Sequence, residues 1–168
     1  MVIRPEPVVK SLEDLETTTL NCSVHRILIS PQGKVFNQQK AVELSKIDQP
    51  IALICGRFEG FDERIRHYVN EEISLGDFVM MGGEVAAMAI IETVGRLIPG
   101  VIGNQESLIH ESFSNGLLEY SQYTRPVSYR GMKVPDVLRS GNHQEIRNWR
   151  KADALRRTNE RRIDLVKS

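Results

Sequence analysis

The chain has 168 residues and a mass of 19.1 kDa, and 40% of its residues are hydrophobic, which supports a domain with its own core and argues against a disordered chain. Its two cysteines, Cys22 and Cys55, form no CxxC and have no neighbouring histidine pair, so a disulfide framework and a zinc ribbon are both disfavoured and a reducing, cytoplasmic setting is expected. Net charge is zero, yet a cut after Leu138 leaves 13 Lys+Arg against 18 Asp+Glu before it and 9 against 4 after it, net −5 and +5, which points to an anionic partner for the C-terminal part.

RILIS (26–30) and IALICG (51–56) are short isoleucine-rich runs closed by turn residues, the pattern of buried parallel strands. QQKAVELSK between them fits a short helix. FDERIRHYVNEE (61–72) carries Phe61, Ile65, Tyr68 and Val69 at helical spacing and predicts a second helix, after which ISLGDFV (73–79) predicts a third strand. Alternation of this kind is the signature of an α/β domain. GGEVAAMAIIETVGRLIPG follows as the strongest helix, and its apolar run Val85 to Ile91 is far short of the roughly 20 residues of a bilayer span. No membrane partner is therefore expected. From Val101 to Val134 periodicity fades, which predicts a long functional loop or linker. The tail from Ser140 to Leu165 predicts a helix capped by Ser140 or Asn142, with Arg147, Arg150, Lys151, Arg157, Arg161 and Arg162 inside an arc of about 140°. A basic helix poor in leucine and aromatic residues fits nucleic acid better than lipid.

Two glycine-bearing stretches follow the second and third strands, CGRFEG and LGDFVMMGG, where ligands of open α/β folds bind. The first is a GxxxG, without the GxGxxG of a dinucleotide site or the lysine-serine pair of a phosphate loop, and alone it reads as a tight turn. Together the two could line one pocket. Glu59, Asp77, Glu84 and Glu111 are the nearby acids, each as readily a capping or solvated residue as a catalytic one. Arg96 closes an apolar helix beside Leu97 and Ile98, where its guanidinium either reaches water or stabilises charge on a substrate. The histidines, His25, His67, His110 and His143, form no triad spacing.

Five stretches in order, LISPQGKVFNQ, LICGRFEGFDERI, ISLGDFVMMGGEVAAMAIIETVGRLIPGVIG, ESFSNGLLEYSQYTRP and VPDVLRSGNHQEIRNWRKADALRRT, resemble the bacterial tRNA (guanine-N1)-methyltransferases, TrmD, of the SPOUT superfamily. The resemblance implies an α/β fold with a parallel sheet and a deep trefoil knot, plus a small helical C-terminal domain. Its boundaries fall at residues 1–104 for the donor-binding domain, 105–126 for the linker and 127–168 for the basic helical domain. It implies S-adenosyl-L-methionine as methyl donor, guanine N1 at tRNA position 37 as acceptor, tRNA as partner and a homodimer, with Mg2+ left open. Donor contacts carry over to Leu28, Ser30, Pro31, Gly56, Glu59, Ser74, Leu75, Gly76, Asp77, Phe78, Val79, Met80, Gly82 and Gly83.

Guanine N1 carries a proton, so a base must remove it while a cation stabilises the negative charge on O6. The family pattern gives these roles to the positions of Glu111 and Arg96. The family has aspartate where this chain has Glu111, so the carboxylate is kept on a side chain one methylene longer. MVIRPEPVV matches well inside the family pattern, after the family's first strand, helix and a glycine-rich tRNA-contacting loop, and the match also stops before the pattern's C-terminal end. An inactive or weakly active RNA-binding or dimerisation remnant of the enzyme is accordingly the alternative. A nucleotide-binding α/β enzyme is disfavoured by the missing phosphate-loop motifs.

Overall fold

The computed structural model describes residues 1–103 and 111–166, and the chain divides into two units, Met1–Gly103 and Asn104–Ser168. Residues 105–110, which open the expected linker and include His110, lie outside the described residues. Every structural statement below concerns the described residues.

In the first unit, strand β1 (His25–Val35) is flanked by β2 (Ile51–Cys55) and β3 (Glu71–Ser74), both parallel to it, in the order β2-β1-β3. The central strand carries the buried run Ile27, Leu28 and Ile29, as burial on both faces requires. Ile27 and Ile29 point to one face, where they join Ile73 of β3, Ala41 and Leu44 of helix α2 (Gln38–Leu44), and Ala86, Ile90 and Val94 of helix α3 (Glu84–Gly95) in the core. Asn37 starts α2 by accepting a hydrogen bond from the Lys40 amide at 2.9 Å. Leu28 projects to the opposite face and is 1% exposed. Helix α1 (Pro5–Asp14), followed by one π-type stretch at Leu15–Leu20, packs on the segment Glu63–Tyr68, with Leu12 and Ile65 buried. Nothing in the sequence reading anticipated α1.

Three expectations need correction. The helix expected over 61–72 is a 3-10 turn at Glu63–Tyr68, and Glu71 and Glu72 belong to β3. Side chains cause the break. Asp62 caps the turn through the Arg64 amide at 3.0 Å, and the Asn70 carboxamide oxygen accepts from the Arg26 amide at 2.7 Å, drawing the chain into the sheet. The third strand stops at Ser74 rather than running to Val79, because the Ser74 hydroxyl donates to the Gly76 carbonyl at 3.0 Å and accepts from the Gly76 amide at 3.2 Å. β1, in contrast, continues past Ser30 to Val35 through a bulge in which Ile29 and Lys34 both face Ile73.

Adjacent acids in a strand need partners on both faces of the sheet. Glu71 meets His25 at 2.7 Å and Lys40 at 2.5 Å, while Glu72 meets the Arg66 guanidinium. Burial pushes both carboxyls up, but the bonds from Lys40 and His25 to Glu71, and from Arg66 and Ser30 to Glu72, outweigh it and hold both below the usual glutamate range.

In the second unit, helix α4 (His143–Arg161) starts at Asn142, whose side chain accepts from the Gln144 and Glu145 amides at 3.1 and 3.3 Å. The loop from 101 to 134 contains a hairpin that the fading periodicity hid, β4 (Ser128–Tyr129) against β5 (Met132–Lys133), turning at Arg130 and Gly131 with φ of 49° and 81°. The segment 118–121 lies along α4. Thr158, fully buried, accepts from the Leu118 amide at 2.9 Å, and Asp153 accepts from the Ser121 amide at 2.7 Å and from Arg156 at 2.5 Å.

The expected basic arc is partly consumed by this packing. Arg157 bonds the Glu119 carbonyl and the Ser121 hydroxyl, Arg150 stacks over Tyr120 at 4.6 Å, and Arg162 lies just beyond α4, paired with Asp164 at 2.6 Å. Among the described residues, Lys151 and Arg161 make no ion pair, and Arg147 bonds Gln144.

Burial would raise the Asp153 carboxyl, but bonds from Arg156 and Ser121 prevail and hold it at about 2 against an ordinary 3.8. A depressed pKa adds stability that is complete above 3.8 and disappears as pH falls through about 2. In urea melts of wild type and Asp153→Asn, the difference in midpoint should be full at pH 6, shrink below pH 4 and vanish near pH 2. A difference independent of pH would exclude the carboxylate as its source.

Candidate functional site

The bulge of β1 and the chain leaving the carboxyl ends of β2 and β3 surround one cavity of about 290 Å³. The first wall is Leu28 to Gln32. The second is Gly56 to Phe61 with Glu63 and Arg66, and the third is Ser74 to Gly76, Phe78 to Gly83 and Ala86. The second and third walls exist because a strand ends in residues that turn. Gly56 leaves β2, and its carbonyl accepts from the Gly83 amide at 2.9 Å, tying the second wall to the third. Gly83 permits that approach, since a Cβ there would lie 3.1 Å from the Cys55 Cα and 3.3 Å from the Ile29 Cβ. Arg57 reinforces the tie with Nε 2.8 Å from Oε1 of Glu84 at the start of α3. The hydrogen bonds from Glu84's own backbone and from Arg57 hold that carboxyl below its ordinary value.

All the expected donor contacts except Asp77 line this cavity. Sequence reasoning missed Ile29, Gln32, Arg57, Phe58, Gly60, Phe61, Glu63, Arg66, Met81 and Ala86. Most of them sit inside the quoted motifs, so the motifs as whole segments carried the signal. Arg66 had none, since it read as one face of a helix that does not form. Glu59 is exposed, 3.0 Å from the Met1 amino group.

Arg96 does not line the cavity. It caps the carboxyl end of α3, whereas Gly82, Gly83 and Ala86 border the cavity at the amino end, so about 15 Å of helix separates the two. Glu111 belongs to the second unit, in a turn closed by Ser114, whose hydroxyl donates to the Glu111 carbonyl at 2.7 Å. Among the described residues, no three His, Cys, Asp or Glu side chains converge in a metal-binding group, and no helix is long and apolar enough to cross a membrane.

A parallel α/β sheet that gathers its carboxyl-end loops around a mixed polar and apolar cavity has the layout in which open α/β folds hold small ligands. Residues 1–168 match the family tRNA (Guanine-1)-methyltransferase TrmD. Among curated relatives, a tRNA (guanine-N(1)-)-methyltransferase of Syntrophotalea carbinolica is 54% identical over 166 residues, 99% of this chain and 66% of its own length. One of Sorangium cellulosum is 62% identical over 144 residues, 84% of this chain and 54% of its own, and one of Geobacillus kaustophilus is 51% identical over 167 residues, 99% and 67%. The chain belongs to the tRNA (guanine-N1)-methyltransferase TrmD family, and it spans less than two thirds of the length of the first two relatives.

Proposed function

We propose that the cavity binds S-adenosyl-L-methionine and that the chain acts in methylation of guanine N1 at tRNA position 37. The observation that carries this reading is the meeting of three separated motifs, LISPQG, CGRFEG and ISLGDFVMMGG, around one cavity in a chain of this family. The cavity suits the donor chemically. Leu28, Leu75, Phe78 and Val79 offer apolar surface to an adenine ring, and the backbone of the three loops offers the donors and acceptors that a nucleoside needs. A SPOUT-type trefoil knot formed by the second and third loops is part of the reading, supported by the parallel β2-β1-β3 order and the tie from Gly83 to Gly56.

When bound, the donor supplies an electrophilic methyl group. The chain's residues do the rest: Glu111 takes the N1 proton and Arg96 faces the O6 on which negative charge develops. The position of Arg96 gives the homodimer a chemical purpose. A guanidinium about 15 Å of helix from the border of the cavity fits a site completed by a second copy. An exposed apolar face supports that association: Val79 and Met81 are 86% and 90% exposed, and Val85, Met88 and Ile91 follow at three-residue steps along α3. Arg147, Lys151 and Arg161 of α4 are the cations offered to the tRNA backbone. Mg2+ is assigned no step.

Calorimetry with S-adenosylhomocysteine should give one saturable site per chain, and a tRNA with guanine at position 37 should accept a labelled methyl group. Absence of heat would refute the cavity assignment. Donor binding without methylation would favour the remnant that only binds RNA or dimerises.

A further inference from the structure

The bulge from Ser30 to Gly33, whose Ser30, Pro31 and Gln32 belong to the first wall of the cavity, has an unusual support. Backbone pairing between β1 and β3 is interrupted there, because Ile29 and Lys34 both face Ile73 and the residues between them bulge out of the ladder. Side chains must hold this wall. One guanidinium reaches every piece: Nε of Arg66 donates to Oε2 of Glu72 at 2.9 Å, Nη2 donates to Oε1 of Glu72 at 3.0 Å and to Oε1 of Gln32 at 2.8 Å, and Nη1 donates to Glu63. Glu72 in turn takes a hydrogen bond from Ser30, whose Oγ accepts from the Gln32 amide at 3.1 Å. Arg66 is a quarter exposed and Glu72 less, so solvent screens these bonds only partly.

We propose that Arg66 is a positioning residue, which clamps the Ser30–Gly33 wall onto β3 and thereby sets the affinity of the cavity for the methyl donor. The inference rests on the donor reading above and adds to it a residue of the second wall that the expected donor contacts do not include. Four of the five N–H groups of the guanidinium are already spent within the protein, so Arg66 acts through the wall rather than on the ligand. Lysine cannot replace the two-pronged bond to Glu72.

The test uses the full chain, S-adenosylhomocysteine as probe, calorimetry, thermal melting and amide hydrogen exchange. Arg66→Ala should raise Kd by about tenfold, as expected for loss of charge-assisted hydrogen bonds. Arg66→Lys should recover only part. Gln32→Ala, on an exposed side chain, should also raise Kd, and the double variant should bind no worse than Arg66→Ala, because both remove one clamp. Exchange at Gln32 and Gly33 should quicken while α3 keeps its protection, an effect that general destabilisation would not confine to the wall. If Arg66→Ala fails to fold, Gln32→Ala alone decides by the same two readings. Unchanged affinity and exchange in the variants, with normal binding by wild type, overturn the clamp and leave the donor reading intact. Failure of wild type to bind the probe overturns the donor reading and the clamp's role in affinity with it.

Discussion

Replacing Gly33 by alanine is expected to destabilise the first unit by roughly 3 kcal/mol, the upper range for overpacking, because the new methyl has nowhere to go. A Cβ on Gly33 would lie 2.5 Å from the Glu72 carbonyl carbon and 2.5 Å from the Ile73 amide nitrogen, both backbone atoms of a neighbouring strand. Side chains could turn aside; a paired strand cannot without losing its own bonds to β1. The same contact explains how the bulge is made, since only a residue without a side chain lets β1 cross so close over β3 before pairing resumes at Lys34. Gly95→Ala is the internal control. It ends α3 with no heavy atom within 4 Å of the added methyl, so it should be neutral or stabilising by up to about 1 kcal/mol. Urea melts followed by circular dichroism compare the two, and equal midpoints would refute the packing of Gly33 on β3.

Much of this fold is legible in local sequence because its strands are short isoleucine-rich runs and its helices α2, α3 and α4 have caps or glycines at their ends. The misreadings share one physical cause. At 61–72 the apolar spacing fits a helix, but side-chain bonds from Asp62 and Asn70 to the backbone compete with it. At Ser74 the hydroxyl ends the strand, and at PQG a sequence that reads as a turn is carried along as a bulge because β3 waits on its far side. Such competition is settled by distant residues, which period and propensity do not record.

The candidate site divides in the same way. Glycine-bearing segments after strands mark the cavity walls from sequence, since bare backbone at strand ends is a local property. Arg66 and Glu72 are not legible, because their value lies in joining three segments. Nor does sequence reveal that Arg96 stands a helix length from the cavity.

Glu111→Gln is expected to lower single-turnover methylation of a guanine-37 tRNA by about 100-fold to 10,000-fold, the range for loss of a positioned general base. Donor affinity should stay within about twofold of wild type, since Glu111 is no part of the cavity wall. Glutamine keeps the length and polarity of the side chain but removes its negative charge and with it its ability to take a proton. The turn that carries Glu111 is fastened by the Ser114 hydroxyl on its carbonyl, and the next bonds run from the Phe113 amide to the Leu117 carbonyl at 2.8 Å and from the Glu119 amide to the Ser112 hydroxyl at 3.0 Å. A thermal melt of the variant separates loss of the base from loss of the second unit's fold. Glu111→Asp tests geometry rather than chemistry: it withdraws the carboxylate by one methylene, and a misplacement near 1 Å costs on the order of 100-fold. A loop set for glutamate predicts a slower Asp variant, whereas a loop set for the family's aspartate predicts an equal or faster one. A full rate in Glu111→Gln removes Glu111 from the chemistry, and the base must then be sought among the acids that line the cavity, Glu59 and Glu63.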